Sequence, residues 1–282
     1  MRILMGAYGA GFAAVRLPHH LDLARLEVRR FEPIGIWSAL SSPLPVWVVL
    51  VLGLASVATG VMATVGWRYR LSGPAFAMFM LALITYGNCW GQVLHTEHLM
   101  VLHLGVLAIS PAADRWSLDQ RARRVPGGDG TTTLGHRWAI WLMAAATAAT
   151  YFVAGYAKWR NGGVEWITGD VLRAQIAHDN LRKELLGDIA SPFAAAILPH
   201  RWLFPPLAGL SLLFEVGAPL VLLVRPLRRV WLIGIVGFHW GVLAFMAVLF
   251  PYQLAFLAFL PHLFLLSADK WPIPDVRNGA LL

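Results

Sequence analysis

Apolar residues fall in long blocks along this chain, parted by short basic or proline-containing links. Val46 to Gly66 is the clearest block, closed by Trp67-Arg68-Tyr69-Arg70. Pro74 to Leu94 comes next, and Glu97 to Ala112 follows with little between, which predicts a tight helical hairpin. Arg137 to Lys158, Leu203 to Val224, Val230 to Leu249 and a shorter Tyr252 to Ser267 complete the series, with turns expected at Arg225–Arg229 and Pro251. Each main block approaches the roughly 20 residues a helix needs to cross a hydrocarbon core. Residues 2–17 are apolar and rich in small residues, a short first span with no convincing cleavage site before Pro18-His19-His20. Residues 21–37 mix charges with Leu23, Leu26, Val28 and Phe31, as an interfacial amphipathic segment does. Residues 159–202 read as amphipathic helical pieces, and Asp114 to His136 as a polar connection with a Gly127-Gly128-Asp129-Gly130 turn. No alternating strand pattern is present. The expectation is an all-α, polytopic transmembrane helical bundle, a single domain over residues 1–282, with about seven to eight spans.

Composition agrees. Of 282 residues, 58% are hydrophobic and 13% charged, against about 25% charged in soluble domains. A net charge of +8 would suggest nucleic acid in a soluble protein. Here the arginines lie between spans, so they report orientation and imply no nucleic-acid partner. If each block crosses once, 13 of the 23 Lys and Arg fall on one side. That side is therefore the cytoplasmic one, with both termini on it. The Lys158 end, His95, Glu97 and His98 then face outward, and residues 159–202 form an outward-facing segment. An inner or plasma membrane of bacterial type is expected. Cys89 is the single cysteine, so no internal disulfide or thiolate metal cluster forms, and no metal is expected.

Ionisable groups within spans are costly, about 2.5–3.5 kcal/mol at mid-helix on insertion scales, and so are functional candidates. Lys158 ends an apolar block after Ala154 and Gly155, which let another backbone come close. It either snorkels to the headgroups beside Tyr156 and Trp159, or sits as an amine in an apolar pocket, where desolvation favours a base. His95 and His98 share a helix face but lack an obvious third metal ligand; His103 reads as packing and His262 pairs with nothing obvious. Glu215 and His239 each lie ten residues from the Arg225–Arg229 turn. That is about 15 Å into the membrane, and predicts that they lie close together, in a structural hydrogen bond or a site. Asn88, Trp90 and Gln92 cap the second block, where Asn88 either binds a ligand or satisfies freed backbone. No phosphate loop, dinucleotide fingerprint or paired-His zinc motif occurs.

Four ordered passages resemble the horizontally transferred transmembrane (HTTM) domain family, which includes the membrane domain of the vitamin K-dependent gamma-glutamyl carboxylase. They are Ala154-Gly155-Tyr156-Ala157-Lys158 with Trp166 and Gly169; His98 opening a helix that leads to Trp116-Ser117-Leu118-Asp119; Phe238-His239; and Trp271-Pro272. The resemblance implies a reduced, vitamin K-like quinone as cofactor, and quinol-dependent oxidation or carboxylation-type chemistry. Lys158 would be the base, with His98 and His239 orienting or stabilising a quinol oxygen. Asn88, Glu97, Glu215 and Trp166 are the accompanying substrate-binding candidates. Glu97 stands where the carboxylase has asparagine, and the sequence carries no strand-rich region to present glutamates. Quinol or lipid chemistry is therefore expected rather than carboxylation of a protein. The alternative is a non-catalytic membrane protein, binding a lipid or quinone or serving a separate soluble redox or substrate protein. No internal repeat supports a transporter.

Overall fold

The computed structural model describes residues 1–91, 93–122 and 133–267. The Gly127–Gly130 turn, Gln92, Trp271-Pro272 and several of the counted basic residues (Arg123, Arg124, Lys270, Arg277) lie outside them. The described chain forms helices and no strand. They are α1 (Arg2–Leu23), α2 (Val46–Val65), α3 (Tyr69–Gly87), α4 (His98–Ala108), α5 (Leu118–Ala122), α6 (Thr133–Gly162), α7 (Glu165–Thr168) and α8 (Val171–Leu185). After these come α9 (Pro192–Ile197), α10 (Phe204–Val216), α11 (Leu220–Leu223), α12 (Arg225–Met246), α13 (Pro251–Leu254) and α14 (Leu260–Ser267). Three helical stretches, Val46–Val65, Arg137–Gly162 and Arg225–Met246, are long and apolar enough to cross a membrane. The other expected blocks are helical but shorter, broken or more polar.

Small residues set the packing of the first helices. α1 turns Gly6, Gly9, Ala10 and Ala13 inward, and α2 answers with Gly53, Ser56, Gly60 and Ala63. A methyl group on Gly60 would lie 2.9 Å from Ala10 Cβ and 2.7 Å from Phe76. Close backbone approach of this kind replaces the hydrophobic drive that lipid removes. Buried polar side chains close the helix ends. The Arg2 guanidinium donates to the carbonyls of Ala63, Thr64, Ala112 and Trp116. The Asp119 carboxylate accepts the backbone N–H groups of Arg68 and Tyr69, 2.8 Å each, where α3 starts. That gives Trp116-Ser117-Leu118-Asp119 a structural use, since a carboxylate at a helix N-terminus satisfies orphan donors and opposes the dipole.

Several boundaries differ from expectation. α1 continues through Pro18 to Leu23, because His20 is buried beside Gly87 rather than released to the interface. Of the segment expected over residues 21–37, the first three residues complete α1 and the rest holds two short 3₁₀ turns, Val28–Arg30 and Gly35–Trp37. α3 starts at Tyr69, five residues before Pro74, on the Asp119 cap, and it ends at Gly87. α3 and α4 pack as neighbours, as expected, but the described residues between them, 88–91 and 93–97, form a longer link than a tight hairpin needs. The Leu203–Val224 block breaks at Gly217-Ala218-Pro219. Arg228 repairs the break, donating 2.8 Å to Val221 O, 2.9 Å to Leu222 O and 2.9 Å to Leu265 O. The residues expected to turn at Arg225–Arg229 are instead the first turn of α12.

Candidate functional site

One face of α6 organises the site. Tyr151, Gly155 and Lys158 recur at helical spacing and face α10 and α12. Gly155 is where α10 crosses. A Cβ there would stand 2.7 Å from Glu215 Cβ and 2.9 Å from Val216 N. That proximity brings Glu215 to Lys158, whose amine donates to both carboxylate oxygens at 2.6 Å. The Glu215 side chain is 4% exposed and that of Lys158 24%. The lysine nitrogen also lies 5.4 Å from the ring centres of both Trp166 and Phe238, within cation–π range.

Lys158 and Trp166 open on a cleft of about 330 Å³. Its walls come from α8 (Leu172, Ile176), α10 (Leu207, Phe214) and α12. On α12 the lining includes Gly234, Gly237 and Gly241, on one side of the helix. Gly237 and Gly241 face open space, so missing side chains create the volume. The Trp166 indole N–H is buried with no acceptor among the described residues.

Next along α6, the Tyr151 hydroxyl and His239 Nε2 form a 2.6 Å hydrogen bond. His239 is 3% exposed, and its Nδ1 has no partner among the described residues. Its ring lies 4.9 Å from Phe250, whose other neighbour is His95 at 5.6 Å. His95 lies in the 88–97 loop. His95 is exposed, yet partial desolvation by its neighbours first, then the charges of His98 and Lys158, hold its pKa below the ordinary histidine value, while Glu97 pulls it up.

The structure thus joins Lys158, Glu215 and Trp166, with His239 beside them through Tyr151. Glu215 is bound directly by Lys158, and His239 by Tyr151. Lys158 is not a solitary amine; it is half of an ion pair. His98 is exposed at the start of α4 and hydrogen-bonds neither Lys158 nor His239; Lys158 is among the charges that act on His95. Asn88 clamps its own loop, accepting Leu94 N at 3.0 Å and donating to Leu94 O at 3.2 Å. Asn88 and Glu97 line a separate cleft of about 30 Å³ with Arg16, His19 and His20. Among the described residues no three His, Cys, Asp or Glu are placed to hold a metal. Tyr151 and Phe250 were not legible as site residues, because aromatics in apolar helices usually pack.

The HTTM domain matches residues 2–267. The chain belongs to the HTTM domain family. No curated protein and no solved structure matches it. As an HTTM protein with three helices of spanning length and composition, it is a membrane protein.

Proposed function

We propose that this HTTM protein binds a lipid-like molecule with a hydroxyl-bearing ring head, of which a reduced quinone is the best-fitting class, and exchanges a proton with it through the Lys158–Glu215 pair. The observation that carries this reading is the apolar cleft of about 330 Å³ with a lysine in its wall. Its size lies within the range of ligand sites, about 300–1,000 Å³, and its chemistry matches a molecule apolar over most of its length. The buried Trp166 N–H needs an acceptor, and a ring oxygen supplies one. A bound quinol supplies the oxidisable group, with dioxygen as the oxidant. The chain's part is to orient the head and take one proton from its hydroxyl. Lys158 Nζ lies 2.6 Å from both Glu215 oxygens, so the pair can take the hydroxyl proton on the carboxylate and pass it on as the quinol's two electrons and two protons reduce dioxygen to hydrogen peroxide and leave the quinone. The bidentate pairing itself favours a second reading, a binding protein without turnover, because a carboxylate that holds the amine twice also competes with any ligand for it.

The test uses the protein in lipid vesicles with menadiol as probe. Binding is read by quenching of tryptophan fluorescence, and turnover by oxygen uptake. The expected result is saturable quenching, lost in Gly237→Leu, which fills the cleft without touching the ion pair. Oxygen uptake lost in Lys158→Met supports turnover; binding without uptake selects the second reading. Non-saturable quenching, or equal quenching in wild type and Gly237→Leu, overturns the proposal.

A further inference from the structure

We propose that the outer edge of α8 and the chain that follows it form a membrane-interface docking surface, seated among lipid headgroups with its apolar side chains among the upper acyl chains. Leu181, Leu185, Leu186, Ile189 and Phe193 are all exposed, Leu185 and Ile189 at 76% and 78%. They form one apolar ridge over α8 and its C-terminal turn, on a segment whose opposite side is buried at Ile176, Asn180 and Lys183. A ridge of this size on a helix with a charged remainder marks an interaction surface.

Depth identifies what covers it. α12 has 22 residues, so it is about 33 Å long, enough to cross a hydrocarbon core of about 30 Å. Its C-terminal end therefore lies at headgroup level, whichever way the chain is oriented. The α8 segment is fastened to that end. Asn180 donates to Phe245 O at 2.9 Å, Lys183 to Met246 O and Ser191 to Ala244 O. Asn180 also accepts Ser191 N at 2.7 Å. Three carbonyls that end the spanning helix are thus satisfied by the segment carrying the ridge, which fixes its height at the membrane boundary. Charges around the ridge alternate in sign, with Arg182 paired to Asp179 and Arg201 to Asp170. Zwitterionic lipid suffices, and no acidic surface is required. The buried side of α8 supplies Leu172 and Ile176 to the cleft, so its wall is set at the acyl boundary. The inference stands apart from what the cleft binds.

The test places single cysteines at Leu185, Ile189 and, as a control, Glu184 in the full chain, leaving the fully buried Cys89 in place. Each is labelled with an environment-sensitive fluorophore and reconstituted in phosphatidylcholine vesicles. Quenching by lipid brominated near the head of its acyl chains is compared with quenching by aqueous iodide. The expected result is a several-fold preference for the lipid quencher at 185 and 189, reversed at 184, and unchanged on adding anionic lipid. Preferential iodide quenching at 185 and 189 overturns the proposal. So does shielding from both quenchers, which would mean that a second copy or another protein covers the ridge. Folding is checked on the same samples by monodisperse elution in detergent; the labelled positions are exposed, and a variant that fails there is replaced by Leu186.

Discussion

Gly155 and Glu215 touch where α6 crosses α10, close enough that a single methyl group on the glycine would fall 2.7 Å from the glutamate Cβ. The nearest obstacles include the Val216 backbone nitrogen at 2.9 Å, which cannot swing aside as a side-chain tip can. The ion pair therefore depends on an absent side chain. Gly155→Val is expected to cost about 1–3 kcal/mol, the range for overpacking, and to separate Lys158 from Glu215. Thermal unfolding in detergent gives the first quantity. The second is read as increased accessibility of Lys158 to an amine-modifying reagent. A stable Gly155→Val protein with an unreactive Lys158 would contradict the crossing.

Lys158 and Glu215 should prove strongly non-additive. Removing one partner leaves an uncompensated charge in an apolar setting, with an expected loss of about 3–5 kcal/mol. Replacing both, as Lys158→Met with Glu215→Leu, should recover most of that loss, because desolvation is relieved together with the attraction. A double-mutant cycle on unfolding free energy measures this. Strict additivity would mean that the two groups are independently solvated.

Tyr151→Phe removes the only hydrogen-bond partner that His239 has among the described residues. The expected cost is about 1–3 kcal/mol, since the imidazole stays buried with both ring nitrogens unmet. His239→Phe with Tyr151→Phe should be milder than the sum of the single changes. If Tyr151→Phe leaves both stability and menadiol quenching untouched, the bond carries neither structure nor function.

The class of this fold was legible because lipid imposes one rule: every backbone polar group must be satisfied within a helix or a closed barrel. Block positions and the exceptional lysine followed from it. Depth was not legible. Counting from Arg137 put Lys158 at the outer edge, but α6 has 30 residues, so Arg137 need not mark the membrane boundary. Counting back from Arg225 to Glu215 assumed an unbroken helix, and the chain breaks at Gly217-Ala218-Pro219. Charge gave the better signal: two opposite ionisable residues on apolar helices are costly alone and should seek each other. Spacing and the apolar helix that follows favoured His98 over His95 as the site histidine. Which one turns toward Lys158 depends on the 88–97 loop, whose path is set by Asn88 clamping Leu94 and by Glu32 N bonding Cys89 O.

His95 gives the protein a predictable acid response. Its folded pKa lies below the ordinary value because of partial desolvation first, then the charges of His98 and Lys158, with Glu97 opposing. The unfolded chain therefore takes up the proton more readily than the folded one. The stability tied to a neutral His95 is present above the ordinary histidine range, about 6.5. It is lost as pH falls through that value toward the lowered folded pKa. Wild-type Tm should drop from about pH 7 to pH 5, and His95→Gln should flatten part of that drop. Lys158→Met should shrink this transition and move its acid end toward higher pH, because one of the charges that lowers the folded pKa is gone. Unfolding followed by tryptophan fluorescence across the pH range checks both. Parallel curves for wild type and His95→Gln would show that another group carries the acid sensitivity, and an unmoved transition in Lys158→Met would place Lys158 out of electrostatic reach of the loop.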